Sequence, residues 1–224
     1  MKRRSTIAIL SLSLSLLAAG AQAEFVVESM YRETSAYVMD VPLPQGRTSD
    51  GEGMMGWGNA VLAATAIRDD SIAQASEDTE ASWSGSAITI AGTYQADLVR
   101  TGSGDQDALS TRNLITMRFD KPETFILHLD WEKSGYPGTW VVRIDDLVLG
   151  DGLIDVVADD EPGSLDIACS GSGVYRLVAE YIQGRVLSVP GERSGGLSFT
   201  ISLAPEGPIP TVEETWSGVK ALYR

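Results

Sequence analysis

The chain has 224 residues, with 31 acidic against 17 basic side chains and a formal net charge of −14 at pH 7. Such a charge repels phosphate backbones and anionic headgroups, which argues against binding to nucleic acid or directly to a bilayer. It favours solubility and the binding of cations. The length allows one sizeable core, and all-β domains of this size commonly form a single unit.

Residues 1–23 have the features of a secretory signal peptide. A basic start over residues 2–4 precedes a short apolar run, and small residues place the cleavage between Ala23 and Glu24. The run is too short for a comfortable membrane span, so we expect no transmembrane segment in the mature chain. We predict export by the general secretion machinery of a bacterium, to the periplasm, the cell surface or the extracellular medium.

Strand patterns dominate the mature chain and predict an all-β domain over residues 24–203. In TFILHLDWE and GLSFTISLA, apolar and polar side chains alternate, which is typical of antiparallel strands with one dry face. About nine such runs are separated by Gly, Pro, Asp and Ser clusters. This spacing predicts a two-sheet antiparallel β-sandwich of the Greek-key or jelly-roll kind.

The segments between the predicted strands include two long loops. Gly46 to Asn59 is rich in glycine, and Arg100 to Arg112 is polar. Residues 120–123 are predicted to form the turn of a hairpin between NLITMRF and TFILHLDW, because proline fixes φ there. GNAVLAATAI is assigned to a strand, although its alanines favour helix.

The C-terminus is predicted to be a Pro-rich linker over residues 204–210 followed by a short amphipathic helix over 211–224. Acids at the front of this tail and bases at its back suit the helix dipole. A helix this short needs a docking partner to persist. It either covers a sheet edge of its own domain or is read by an export or surface-attachment factor. The side chains for such recognition are Trp216, Lys220, Tyr223 and Arg224.

The last two predicted strands, in GSGVYRLVAEY and GGLSFTISLAP, have a pattern that resembles the end of exported β-sandwich domains in PEP-CTERM-type bacterial proteins. The likeness in rhythm extends from about Ser71 to Pro205. It implies a secreted surface or matrix protein. The chain departs from that pattern at its C-terminus, because the apolar membrane span of those proteins is absent.

Three aromatic residues are the candidates for ligand binding. Trp57 lies in the glycine-rich segment, and Tyr136 and Trp140 flank the Pro-Gly turn of SGYPGTW. Aromatic planes beside a loop can stack on sugars. Trp140 also alternates with apolar residues, which favours core packing for it. Tyr175 is predicted to have a structural role, as the tyrosine corner of a Greek-key sandwich.

The residues for catalysis are few. His128 is the single histidine and is predicted to lie on a solvated strand face with Asp130 and Glu132, with Arg118 across the hairpin. Cys169 is the single cysteine, which excludes an intrachain disulfide and favours a buried thiol. We expect no cofactor. Calcium is a weaker alternative at LVLGDGLIDVVADDEPGSLD, whose oxygens suit a hard cation without EF-hand spacing.

The sequence therefore favours an exported, non-enzymatic surface, envelope or matrix protein that binds a glycan or a protein. The alternative is a secreted carbohydrate-active hydrolase that uses paired loop carboxylates. The acid pairs available for such chemistry are Asp69-Asp70, Asp145-Asp146 and Asp159-Asp160-Glu161.

Overall fold

The computed structural model describes residues 24–41, 47–103, 106–121, 124–136, 138–158 and 160–206. These residues form twelve strands and contain no helix. In chain order the strands are β1 (Val26–Val41), β2 (Arg47–Met55), β3 (Gly58–Arg68), β4 (Ser71–Trp83), β5 (Ile88–Arg100), β6 (Gln106–Asp120), β7 (Phe125–Gly135), β8 (Thr139–Asp146), β9 (Gly152–Ala158), β10 (Gly163–Cys169), β11 (Val174–Leu187) and β12 (Gly191–Pro205).

The strands form two six-stranded antiparallel sheets that pack against each other, as predicted. Sheet A has the order β2-β1-β6-β11-β8-β9, and sheet B has the order β10-β7-β12-β5-β4-β3. The chain passes from one sheet to the other at most connections. The two sheets therefore interleave in sequence, and neither could form its buried face alone.

The predicted hairpin over residues 120–123 is wrong, because β6 belongs to sheet A and β7 to sheet B. The connection crosses the sandwich. Arg118 consequently does not lie across from His128, and its Nε is 2.5 Å from a carboxylate oxygen of Glu28. Alternating side chains fix which face of a strand is dry, but they do not identify the neighbouring strand.

Both predicted loops prove to be largely strand. The segment from Gly46 to Asn59 contains β2 and the start of β3, and β6 begins at Gln106 inside the second loop. The LVLGDG stretch considered for calcium runs into β9, and SIAQASEDTEASW forms β4, which the pattern did not predict. GNAVLAATAI does lie in a strand, β3.

The interior has two apolar clusters separated by a polar layer. Along β1, Met30 belongs to the larger cluster and Val38 to the smaller one, and the buried Arg32 and Thr34 lie between them. The strands β4, β6 and β11 repeat this order. The buried polar side chains they contribute are Glu77, Thr79, Thr111, Asn113 and Gln183.

The edge strand β3 of sheet B is capped by acidic side chains from β2 of sheet A. The backbone N–H groups of Ala63 and Thr65 in β3 donate to carboxylates of Glu52 (2.9 Å) and Asp50 (2.8 Å) in β2. These donors would otherwise offer a template for pairing with another strand. The acids of β2 thus close the edge where the two sheets meet.

The last strand, β12, continues to Pro205, two residues past the predicted end of the strand region at Leu203. The predicted signal peptide with Ala23, the rest of the linker and the C-terminal tail lie outside the described residues, so their assignments stay predictions. In the part of the chain that the structure describes, we find no helix of the length and apolarity needed to cross a membrane.

Candidate functional site

Trp57 stacks on a second tryptophan, Trp83, at one end of the sandwich. The ring centroids are 5.9 Å apart and the planes differ by 28°. Trp57 is partly buried against the large apolar cluster, whereas Trp83 is 43% exposed. Met55, at the end of β2, is 65% exposed. The pair therefore presents an aromatic surface to solvent.

The turn that carries Trp57 is held from inside the protein. Gly56 and Gly58 have φ values of 104° and 87°, which glycine adopts readily. The buried Arg32 guanidinium donates to both of their carbonyl oxygens, each at 2.9 Å. These hydrogen bonds hold the backbone on either side of Trp57, and the stacking on Trp83 orients its indole, so the site is ordered before a ligand binds.

Two exposed serines follow Trp83 in the chain. The turn after β4 brings the side-chain oxygens of Ser84 and Ser86 to 3.4 Å from each other, and Ser84 N–H donates to the Ala87 carbonyl at 3.0 Å. Phe25 N–H donates to the Gly85 carbonyl at 2.7 Å, which ties the turn to the N-terminal segment. We call Trp57, Trp83, Ser84 and Ser86 the tryptophan site.

A polar track crosses the outer face of sheet B from the vicinity of this site. A depression of about 360 Å³ begins at Asn59, two residues after Trp57, and meets a second one of about 600 Å³ at Gly92. A side chain at Gly92 would collide with the backbone of β4, so this position needs glycine. The other polar residues along the track are Asp78, Glu80, Thr93, Ser198, Thr200, Asp130, Glu132 and Ser164.

The loop between β7 and β8 carries Tyr136 and is anchored to both sheets. Tyr136 N–H donates to the Ser194 carbonyl of β12 at 2.8 Å, and Gln183 Nε2 of β11 donates to the Tyr136 carbonyl at 2.9 Å. A side chain at Gly195 would collide with the Tyr136 carbonyl oxygen, so a glycine there allows the close approach. The loop is therefore fixed in position.

Two arginines flank the half-buried Tyr136 ring. Their guanidinium carbons lie 5.7 Å (Arg185) and 5.6 Å (Arg193) from the ring centroid. Arg185 Nη1 also donates to the Tyr136 hydroxyl at 2.8 Å. We call Tyr136, Arg185 and Arg193 the arginine site. The ring orients two cations here, so it is not a free platform for a sugar.

The third aromatic candidate, Trp140, is fully buried. Its ring lies 5.7 Å from that of Phe199 and 6.0 Å from that of Trp131. It has no exposed surface for a ligand, which agrees with the core-packing alternative. Tyr175 is buried between Phe119 and Phe125, at centroid distances of 5.4 and 5.2 Å, and its role as a tyrosine corner stays a prediction.

His128 links two strands through ion pairs, and Cys169 is a buried thiol. His128 lies between the carboxylates of Asp166 (2.6 Å from Nδ1) and Asp130 (2.7 Å from Nε2), and the hydrogen bond to Asp166 raises the pKa of the imidazole despite its partial desolvation. This contact ties β10 to β7. Cys169 is buried as predicted, and burial raises the pKa of its thiol to about 12.

Three of the loop acids considered for hydrolysis, Asp145, Asp146 and Asp160, contact structural partners. Asp145 accepts from Arg176 at 2.6 Å, and Asp160 lies 3.2 Å from Lys133 Nζ. Burial of Asp146 disfavours its ionised form, but hydrogen bonds from Ser172 and from the following turn outweigh this and lower its pKa to about 2. Asp159 lies outside the described residues.

The buried Glu77 is connected to the tryptophan site through Arg32. Thr79 Oγ1 donates to Glu77 at 2.8 Å and accepts from Arg32 Nη1 at 3.3 Å, and Thr34 Oγ1 lies 3.4 Å from the second carboxylate oxygen. Desolvation raises the pKa of Glu77 to about 7, although these hydrogen bonds and the Arg32 charge oppose the shift.

The structure does not bring the sequence candidates together. Trp57 and Tyr136 lie in different sites, and the partners that complete each site, Trp83 with Ser84 and the two arginines, were missed. Trp83 had a detectable signal, as an exposed aromatic before the turn residues SGS. Nothing in the sequence pointed to Arg185 and Arg193, because it is the position of the loop between β7 and β8 that brings Tyr136 beside them.

Among the described residues, no group of three or more His, Cys, Asp or Glu side chains is arranged to hold a metal ion. A comparison with protein-family models finds no match, and neither does a search of curated proteins. The fold and the surface define the class of the described domain as an all-β sandwich that carries a stacked tryptophan pair with one exposed member.

Proposed function

We propose that the chain is an exported, non-enzymatic surface, envelope or matrix protein that binds a glycan through the tryptophan site. The observation that carries this proposal is the stacked pair of Trp57 and Trp83, in which Trp83 is exposed and the backbone on both sides of Trp57 is bound by Arg32. A contiguous exposed apolar patch, such as the one that Trp83 and Met55 contribute to here, commonly marks a binding site. A fixed aromatic plane next to hydroxyl groups matches the two faces of a sugar ring, one apolar and one polar.

The surroundings favour a neutral polysaccharide. The track across sheet B offers hydroxyl and carboxylate acceptors to sugar hydroxyls, and its acids Asp78, Glu80, Asp130 and Glu132 would repel a polyanion. The track is open and shallow enough for a chain to lie along it. We infer that successive sugars contact the hydroxyl groups of Ser198 and Thr200 after the first stacks on Trp83.

The glycan proposal is tested by binding of the exported chain to an array of neutral oligosaccharides. For Trp83→Ala we expect at least about tenfold weaker binding to the best ligand, equivalent to about 1.4 kcal/mol. Tyr136→Ala is the matched control, because it removes an aromatic ring at a separate site and should leave this affinity unchanged. Equal affinity of wild type and Trp83→Ala, with both folded, would refute the proposal.

The non-enzymatic part is tested on the same ligands by a screen for released reducing ends. We expect none, because the loop acids Asp145, Asp146 and Asp160 are occupied by arginine, backbone and lysine contacts. Turnover of any polysaccharide would overturn this part and favour the hydrolase.

The tail proposal has a separate test. We propose that residues 211–224 are read by an export or surface-attachment factor. Deletion of this segment should leave the thermal midpoint unchanged and abolish surface localisation. A clear drop in the midpoint would show instead that the tail stabilises its own domain.

A further inference from the structure

The arginine site differs from the rest of the surface in the pairing of its charges. Six other arginines of the described residues form ion pairs with acids, while Arg185 and Arg193 have no such pair within those residues. The paired ones are Arg68, Arg100, Arg112, Arg118, Arg143 and Arg176. In a chain with 31 acids and 17 bases, two adjacent cations without acid partners are unexpected.

The two guanidinium groups keep unused donors. Each has five N–H groups in a planar fork. Arg185 uses one on the Tyr136 hydroxyl at 2.8 Å, and Arg193 uses one on the Glu192 carbonyl at 3.0 Å. The ring contacts hold both planes in place, which lowers the entropic cost of a further contact. Both side chains are exposed, so an anion can reach them.

The surface next to them is a groove of about 510 Å³. It is an open groove, not an enclosed pocket for an anchoring side chain, and its lining includes Ser110, Gly184, Val186 and Arg185. Peptide recognition usually relies on such pockets. An open groove lined by Arg185, with Arg193 beside the same tyrosine ring, suits a chain that carries anionic groups at intervals, and Ser110 adds a hydroxyl partner for it.

We propose that the arginine site binds an acidic polysaccharide through its carboxylate or sulfate groups, with Arg185 and Arg193 as the anion ligands. Arginine pairs with both kinds of group by two parallel hydrogen bonds. This inference does not rest on the tryptophan site, which favours neutral sugars. The overall negative charge does not prevent it, because charges farther away than about 8 Å are largely screened at physiological salt.

The test is calorimetry of the exported chain, at physiological ionic strength, with an oligouronate, a sulfated oligosaccharide of equal length and a neutral counterpart. We expect at least one anionic ligand to bind at least about tenfold more tightly than the neutral one. Whichever of the two anionic ligands binds more tightly identifies the preferred group, carboxylate or sulfate. Equal binding of the neutral ligand, or binding of neither anionic one, would overturn the proposal.

Variants locate the binding in this site. Arg185→Gln with Arg193→Gln should abolish the anionic preference, and the double lysine variant, which keeps the charge but loses the planar fork, should restore only part of it. The thermal midpoint should stay unchanged because both side chains are exposed. Trp83→Ala should not alter this affinity. Retained preference in the glutamine variant, or equally tight binding of polyglutamate or single-stranded DNA, would contradict the assignment.

Discussion

The buried carboxyl of Glu77 predicts that the protein loses stability as the pH rises through neutrality. Its pKa is about 7 in the folded protein against an ordinary value of 4.5. A raised pKa means that the folded state binds this proton more tightly than the unfolded state does. The contribution is therefore fully present below pH 4.5 and is lost as the pH rises through about 7.

The size of the effect follows from the shift. At about 1.4 kcal/mol per pKa unit, the change from 4.5 to about 7 corresponds to about 3 kcal/mol of unfolding free energy. We propose to measure urea unfolding of wild type and Glu77→Gln from pH 4.5 to pH 8.5. The glutamine is uncharged, like the protonated acid, so the variant should gain on the wild type by about 3 kcal/mol across this range.

The comparison with a variant is needed because His128 titrates in the same direction. Its raised pKa also gives stability that is present at low pH and lost as the pH rises. Both proteins keep His128, so its effect cancels in the difference. Glu80→Gln, at an exposed acid of the same strand, is the matched control and should show a flat difference. A flat difference for Glu77→Gln as well would refute the argument from burial.

Three further outcomes follow from the structure. The Cys169 thiol should be unreactive toward a thiol reagent at pH 8 in the folded protein and react on unfolding in urea; reaction at the unfolded rate under native conditions would contradict its burial. Asp146→Asn should lower the thermal midpoint at pH 7, and the difference should shrink as the pH falls from about 4 toward 2, where the wild-type carboxyl takes up its proton; a difference independent of pH would exclude ionisation as the cause. Replacing Asp50 and Glu52 together by alanine should speed aggregation measured by light scattering, because two donors at the edge of β3 lose their acceptors, and unchanged aggregation would show that this edge is protected otherwise.

The all-β sandwich was predictable because alternation of apolar and polar side chains persists in strands such as β7 and β12. The same pattern did not predict β4, because Glu77 and Thr79 point inward there and interrupt the apolar positions. Their inward position is possible only because Arg32 and Thr34, from another strand, contact them. The strand β2 was not predicted for a different reason. Its glycines give no strand pattern in the sequence, although its backbone pairs with β1.

The candidate sites were predictable only in part. Trp57 and Tyr136 were found by their aromatic character and their position near glycine-rich turns. Their partners come from elsewhere in the chain, and sheet order decides them. Because β6 and β7 lie in different sheets, the predicted hairpin placed Arg118 wrongly, across from His128. Local sequence patterns do not reveal which sheet a strand joins or which strands it pairs with.

The most direct test of glycan binding by the tryptophan site is an NMR titration of the protein with a neutral oligosaccharide taken from the array. We predict that the largest shifts occur at the indole N–H groups of Trp57 and Trp83 and at the backbone amides of the Ser84 to Ala87 turn. Smaller shifts should follow along the track near Gly92. Shifts confined to other surfaces, with both indoles unmoved at saturation, would contradict the proposal.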